Sequence, residues 1–349
     1  MPNRISTLKL LIPALAAFLV PGQAFCNSLS LTSAGTADGF TLSTFATTNP
    51  GNVGCCGGPF GIAVASTGNI IVGTGSGAQY VFADSNGQTV ASALFTGTSS
   101  AYVTAYATVG GQAYGAQNGH FVAFKSDGAV DHVLTGVAAS PYLGMWGDPV
   151  NGHIIATSYS GLIDINPLGN GGLGSFRIIN GVFGDGVSVS PDGKTAYVEK
   201  GSQIIGYSIA NGTETYASGF FTSSGLFGPD GSGVITSTNS LNGDILVNFN
   251  GDGSTTGGIG LLDPSTSAFS VIATGGTRGD YVSPDTTNGT LFLDYSDTVE
   301  RLSCGPNCSI GSPPPPPSPS PVPEPGTFAL LGTGLTWLGA MVRRQRMKV

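Results

Sequence analysis

The chain is written in short apolar runs that alternate with polar positions and stop at glycine. One phrase recurs six times: an apolar strand, a glycine-containing turn, and a second short apolar strand. It reads GIAVASTGNIIVG around Gly68, TAYATVGGQAYGA around Gly111, LGMWGDPVNGHIIAT around Gly152, VSVSPDGKTAYVE around Gly193, ITSTNSLNGDILVNF around Gly243 and YVSPDTTNGTLFLDY around Gly289. Successive glycines stand 43, 41, 41, 50 and 46 residues apart. A period near 40 with four short strands to the unit predicts β-propeller blades. Within the Gly243 unit, GVITST, DILVNF, IGLLDP and FSVIATG are separated by turn-forming residues. The last unit has three such runs before Cys304, and GFTLSTFAT, Gly39 to Thr47, carries strand alternation ahead of the first unit. The expected fold is therefore all-β, a six-bladed propeller over residues 25–310, with seven blades as the neighbouring solution. Its N-terminal strand completes the last blade and removes the open edge. Six near-equal units argue against a sandwich, and the lack of a 6- or 9-residue repeat argues against a β-helix.

Composition narrows the class further. The 349 residues include 56 Gly and 22 Pro, and only 9% are charged, against about 25% charged and about 7% Gly in an ordinary domain. Long exposed helices need Glu, Lys, Arg and Ala on their wet face, so they are excluded. The 40% of hydrophobic residues is enough to bury a core, which disfavours disorder. Arg4 and Lys9 lie at one end and Arg343, Arg344, Arg346 and Lys348 at the other, leaving six basic against nineteen acidic residues over 25–322. Without clustered Lys and Arg, nucleic acid is not an expected partner.

Both termini read as addresses. Arg4 and Lys9 precede the apolar run Leu10 to Val20 and the small-residue stretch ending at Ala24, the layout of a secretory signal peptide over residues 1–24 that the Sec machinery would take. Phe25 before Cys26 removes the small residue that a lipoprotein site needs. Residues 311–325 form a proline-rich linker in extended polyproline conformation. Seventeen uncharged residues, 326–342, follow; as a helix they span about 25 Å, short of a ~30 Å hydrocarbon core. The basic tail, 343–349, would stay cytoplasmic and leave the body outside the inner membrane. Val322, Pro323, Glu324, Pro325 and Gly326, then the apolar helix, then Arg343 and Arg344, resemble the PEP-CTERM sorting signal of Gram-negative bacteria over residues 322–349. That resemblance implies exosortase as a partner, transient inner-membrane association, cleavage near Pro-Glu-Pro, and delivery to the cell surface or the extracellular space, commonly in bacteria that build an exopolysaccharide matrix. SPDGKTAYV, Ser190 to Val198, is similar to the YVTN-type and NHL-type repeats of bacterial propellers, which supports the architecture.

Chemistry is sparser. Inner strands of a propeller begin at the channel mouth, where the alignment of units puts Cys55, Cys56, Tyr102, Tyr142, Asp185 and Asp280. Two Asp and two Tyr in a ring suit a cation or a sugar; alternatively, the aspartates cap backbone amides at strand starts. No cofactor is expected, calcium being the cation such a ring admits. Propeller lactonases hold a divalent metal in the channel, but here Glu199, Glu214, Glu300 and Glu324 miss the inner-strand starts, and His120, His132 and His153 fall near outer strands and turns. Gly169 to Gly174 matches G-x-G-x-x-G inside a blade, without the helix that binds pyrophosphate. Asn248 to Gly253 hints at a calcium loop whose glutamate position is Ile259. No G-x-S-x-G, H-E-x-x-H or C-x-x-C-H occurs. After export, Cys304 and Cys308 are the expected disulfide, while Cys26 has Cys55 or Cys56 to choose between. The expected function is that of a non-enzymatic surface or matrix propeller that binds polysaccharide or a surface protein. The alternative is a lactonase-like hydrolase or lyase with a divalent cation in its channel.

Overall fold

The computed structural model describes residues 29–50, 58–99, 105–138, 141–221, 224–226, 228–251, 257–276 and 278–311. Among them, six sheets follow one another around a ring, one for each repeat of the phrase. Blade 1 is Pro59–Val64, Ile70–Thr74, Ala78–Phe82 and Phe95–Thr98. Blade 2 is Tyr106–Val109, Gln112–Gln117, His120–Phe124 and Val130–Val133. Blade 3 is Tyr142–Gly147, Ile154–Ser158, Gly161–Asn166 and Ser175–Asn180. Blade 4 is Val187–Val189, Thr195–Lys200, Gln203–Ser208 and Glu214–Ala217. Blade 5 is Pro229–Ser237, Ile245–Phe249, Gly258–Asp263 and Ala268–Thr274. Blade 6 takes Val282–Pro284, Leu291–Asp294 and Thr298–Ser303 from its own unit and Thr41–Thr47 from the N-terminal side. The six hairpin glycines all sit in the left-handed region, at φ +83, +76, +76, +69, +89 and +75°. At Gly68, Gly111, Gly152 and Gly243 a Cβ would meet nothing within 4 Å, so backbone conformation, not crowding, demands glycine there.

The ring closes where expected. Thr41–Thr47 pairs antiparallel with Thr298–Ser303, from Thr41 opposite Ser303 to Thr47 opposite Thr298. Phe45 on this strand is fully buried, 6.1 Å from the Phe82 ring of blade 1 and 4.9 Å from the Phe292 ring of blade 6. The Arg301 guanidinium lies 4.8 Å from both Phe45 and Phe292. It also pairs with Asp84 of blade 1 and, at 3.3 Å, with the fully buried Asp285.

Each inner strand begins on one side of the ring, here the mouth face, and ends on the other, the far face. Tyr281, at the start of the inner strand of blade 6, spans the axis: its hydroxyl donates to the carbonyl of Tyr106 and, at 3.2 Å, to that of Met145. On the far face the Cys304–Cys308 disulfide, with Cα atoms 5.6 Å apart, precedes a short strand, Cys308–Ile310, that pairs with residues 235–237 of blade 5. Gly311 then donates its N–H to the Val234 carbonyl at 2.8 Å and lies against Trp146 and Pro284.

Replacing Arg301 by Ala leaves Asp285 buried without its cation, a loss that costs about 3–5 kcal/mol when a buried pair is broken. Urea unfolding of Arg301→Ala should show a fall of that size. Lys194→Ala, which removes an exposed pair with Asp192, should shift stability by less than about 0.5 kcal/mol.

Candidate functional site

The inner strands of blades 4, 5 and 6 share one register at the mouth face. The Gly186 carbonyl accepts from the Glu199 N–H at 3.2 Å, Gly231 lies opposite Asn248, and the Tyr281 carbonyl accepts from the Asp294 N–H at 3.0 Å. The residue before each of these is an aspartate: Asp185, Asp230 and Asp280. Glu199, Asn248 and Asp294 stand behind them on the second strands.

The three aspartates converge. The charges of Asp185 and Asp280 both bear on Asp230, and Asn250 donates from Nδ2 to Asp230 Oδ2 at 2.7 Å. Neighbouring carboxyl groups cannot all ionise, and burial keeps a proton on the cluster. Asp230, half-buried, is held well above the ordinary carboxylate range by desolvation and then by the charges of Asp185 and Asp280. Burial raises Asp280 to about 6, against the lowering effects of its hydrogen bonds and of Arg278. Asp185 is the outermost of the three and keeps part of its surface in solvent, yet the protein crowded around its carboxyl raises it as well.

The second tier is buried and under-partnered. Glu199 is 1% exposed and is raised by burial to about 8. Neither of its carboxyl oxygens meets a donor in hydrogen-bonding geometry, and the nearby Ser232 hydroxyl is engaged with Ser188 Oγ at 2.8 Å. Gly186 makes room for this side chain: a Cβ there would sit 2.5 Å from Glu199 Oε2 and 2.4 Å from the Asp230 carbonyl oxygen. Asp294, also raised well above its usual range by burial, accepts the Tyr281 N–H on one oxygen and has no partner on the other. Asn248 accepts from the Tyr295 hydroxyl at 2.9 Å while its Nδ2 is unpaired.

Beside Asp185 and Glu199 opens a cavity of about 620 Å³, also lined by Phe183, Lys200 and Pro229. Phe183 stacks on Tyr159 with ring centroids 5.7 Å apart and planes 11° from parallel, and both rings are exposed.

Of the residues expected at the mouth, Asp185 and Asp280 are brought together, through Asp230. Tyr142 goes elsewhere: its ring is fully buried, 5.4 Å from Phe121, and its hydroxyl, raised to about 12 by burial, donates to the Ala138 carbonyl at 2.8 Å. Tyr102, Cys26, Cys55, Cys56 and the sorting signal, Val322 to Gly326 with Arg343 and Arg344, lie outside the described residues. Asp230 was signalled by an Asp-Gly pair that repeats the one at 185–186; Glu199, Asn248 and Asp294 had no such signal. His153 is occupied with Asp164 at 2.8 Å, which also binds Arg177 at 2.9 Å. The G-x-G-x-x-G segment forms a single four-residue turn, Gly169–Gly172, broken by left-handed Asn170 and Gly171. The mouth donors are all oxygen or amide groups, the chemistry of a hard cation. Even so, among the described residues no group of three or more His, Cys, Asp or Glu is disposed to hold a metal ion.

A carboxyl group raised on folding lends stability below its ordinary pKa and withdraws it as pH rises through the folded value. Glu199 is displaced upward to about 8 and Asp280 to about 6, so the thermal midpoint should fall from about pH 5 to about pH 8. Glu199→Gln should flatten the upper part of that fall. A profile identical to that of the unaltered chain would show that Glu199 does not titrate there.

Comparison with known proteins agrees with this architecture. Residues 321–346 match the PEP-CTERM protein-sorting motif. No curated protein sequence matches the chain. Among solved structures, a gluconolactonase of Xanthomonas campestris superposes with TM-score 0.55 at 14% identity, covering 80% of this chain and 95% of that one. A second structure, provisionally assigned as a gluconolactonase, gives TM-score 0.53 at 13% identity over 79% of this chain and 97% of its own. At such identity the likeness is one of fold. Among the described residues no helix is long and apolar enough to cross a membrane, and residues 326–342 lie beyond them. The chain is a six-bladed β-propeller that ends in a PEP-CTERM sorting motif.

Proposed function

We propose that the propeller is a non-enzymatic binding protein, delivered through exosortase processing to the cell surface or its surrounding matrix, and that it takes a polysaccharide at its mouth face. The observation that carries this reading is the convergence of Asp185, Asp230 and Asp280 over the under-partnered Glu199, Asn248 and Asp294. A buried polar group left without a partner costs about 1–3 kcal/mol. A ligand rich in hydroxyl or ammonium donors would recover that cost. The position of Gly311, the last described residue, is compatible with the same reading, because it lies on the far face, opposite the acidic mouth.

A lactonase-like hydrolase with a divalent cation is the second reading, favoured by the all-oxygen donor set and by the fold shared with gluconolactonases. Affinity electrophoresis and a hydrolysis screen of the purified full-length chain separate the two. Soluble polysaccharide should retard the chain, and Asp230→Asn should weaken that retention by about tenfold, the equivalent of about 1.4 kcal/mol. Lactones and esters should be hydrolysed no faster than in buffer, with or without calcium. Calcium-dependent turnover that Asp185→Ala abolishes would establish the hydrolase instead.

A further inference from the structure

Two features meet at one corner of the mouth. The first is the exposed aromatic pair: Phe183 is 54% and Tyr159 68% exposed, and because the two rings stack on each other, each turns its second face outward. The second is the acidic wall of the adjoining cavity, where Asp185 is open to solvent and Glu199 is buried with both carboxyl oxygens unpartnered. Phe183 belongs to both, since it lines the same cavity as Asp185 and Glu199. The cavity volume, about 620 Å³, lies within the range of ordinary small-molecule sites.

These surfaces ask for a ligand with one flat apolar face and one positive charge. Aromatic rings attract C–H faces and cations alike, whereas unpaired carboxyl oxygens need donors, and charged donors give the stronger bonds. Two cations stand near, Lys200 in the cavity and Arg278 beside Asp280. Burial holds Glu199, Asp230 and Asp294 toward the protonated form, so Asp185, exposed beside the cavity, is the carboxylate that a ligand cation meets first. A neutral sugar would meet the aromatic face and leave Asp185 unanswered; a bare cation would do the reverse. Resting on the reading of the mouth as a polysaccharide site, we infer that this corner binds a hexosamine with a free ammonium group. Its pyranose C–H face stacks on Phe183 or Tyr159, and its ammonium lodges against Asp185 and Glu199.

Isothermal titration calorimetry of the full-length chain in detergent, at about pH 7, tests this with four probes: the tetramer of glucosamine, the tetramer of N-acetylglucosamine, tetralysine and calcium chloride. The glucosamine tetramer should bind at least about tenfold more tightly than its acetylated counterpart and than tetralysine. Phe183→Ala and Asp185→Asn, both at exposed positions that leave the core intact, should each weaken it by about tenfold or more. Equal affinity for the two tetramers overturns the amino-sugar assignment and leaves the polysaccharide reading standing. Tetralysine binding as tightly as glucosamine reduces the corner to a site for charge alone and also overturns it, as does calcium binding without saccharide binding. If no saccharide binds by either calorimetry or electrophoresis, the broader reading fails with it.

Discussion

Ring closure is the constraint on which the rest of this structure depends. Each blade packs the faces of its sheet against its two neighbours, so a ring opened at one point exposes two sheet edges at once. The strand that closes it, Thr41–Thr47, comes from the opposite end of the sequence to its partner, Thr298–Ser303. Loop-closure entropy grows only logarithmically with separation, so this distance is a small penalty beside two open edges. Phe45 and Arg301 turn the pairing into a three-way joint, because the guanidinium that covers the Phe45 ring also reaches Asp84 in the adjoining blade and Asp285 in its own.

A closed ring also turns repetition into convergence. One aspartate at the start of an inner strand is an ordinary solvated residue; the same register position in three consecutive blades aims three carboxyl groups at one point. Like charges at that spacing cannot all ionise, so the group shares protons. The ring is unequal in this respect. In blade 3 the position facing Gly144 is Thr157, whose hydroxyl accepts the Gly144 N–H at 2.9 Å and so is satisfied within the fold. In blades 4, 5 and 6 the corresponding places hold Glu199, Asn248 and Asp294, each with a buried atom unpaired. A sequence shaped by stability alone has the solution of blade 3 at hand, and the polar half of the ring departs from it.

What could be read from the sequence follows from how local each signal is. The six hairpin glycines are legible because left-handed backbone is a property of the turn itself, and all six carry positive φ. The closing strand could be read because the last repeat is one strand short. Asp230 was missed since Pro-Asp-Gly is ordinary turn chemistry, and here it lies inside a nine-residue strand, Pro229–Ser237. Glu199, in Thr-Ala-Tyr-Val-Glu-Lys, looks like a solvent-facing strand end. Its burial depends on the room left by Gly186 of the neighbouring strand, a contact that no local pattern announces. Tyr142 fails in the opposite direction: its place at a strand start suggested the mouth, while the Ala138 carbonyl and Phe121 hold it in the core.

The scarcity of positive charge in the body bears on the same half of the ring. Arg301 is consumed by closure, and Arg177 ties Asp164 of blade 3 to the Ile209 carbonyl at the foot of blade 4. Two of the six basic residues between positions 25 and 322 are thus committed to holding blades together. Arg278 and Lys200 are the cations at the mouth among the described residues, beside carboxyl groups of which burial holds Glu199, Asp230 and Asp294 toward the protonated form. The charge that the mouth shows to solvent is then carried first by Asp185, the exposed member of the cluster. The acidity of the chain therefore has a location as well as a sign, at the inner-strand starts of blades 4, 5 and 6, opposite the face where Gly311 lies.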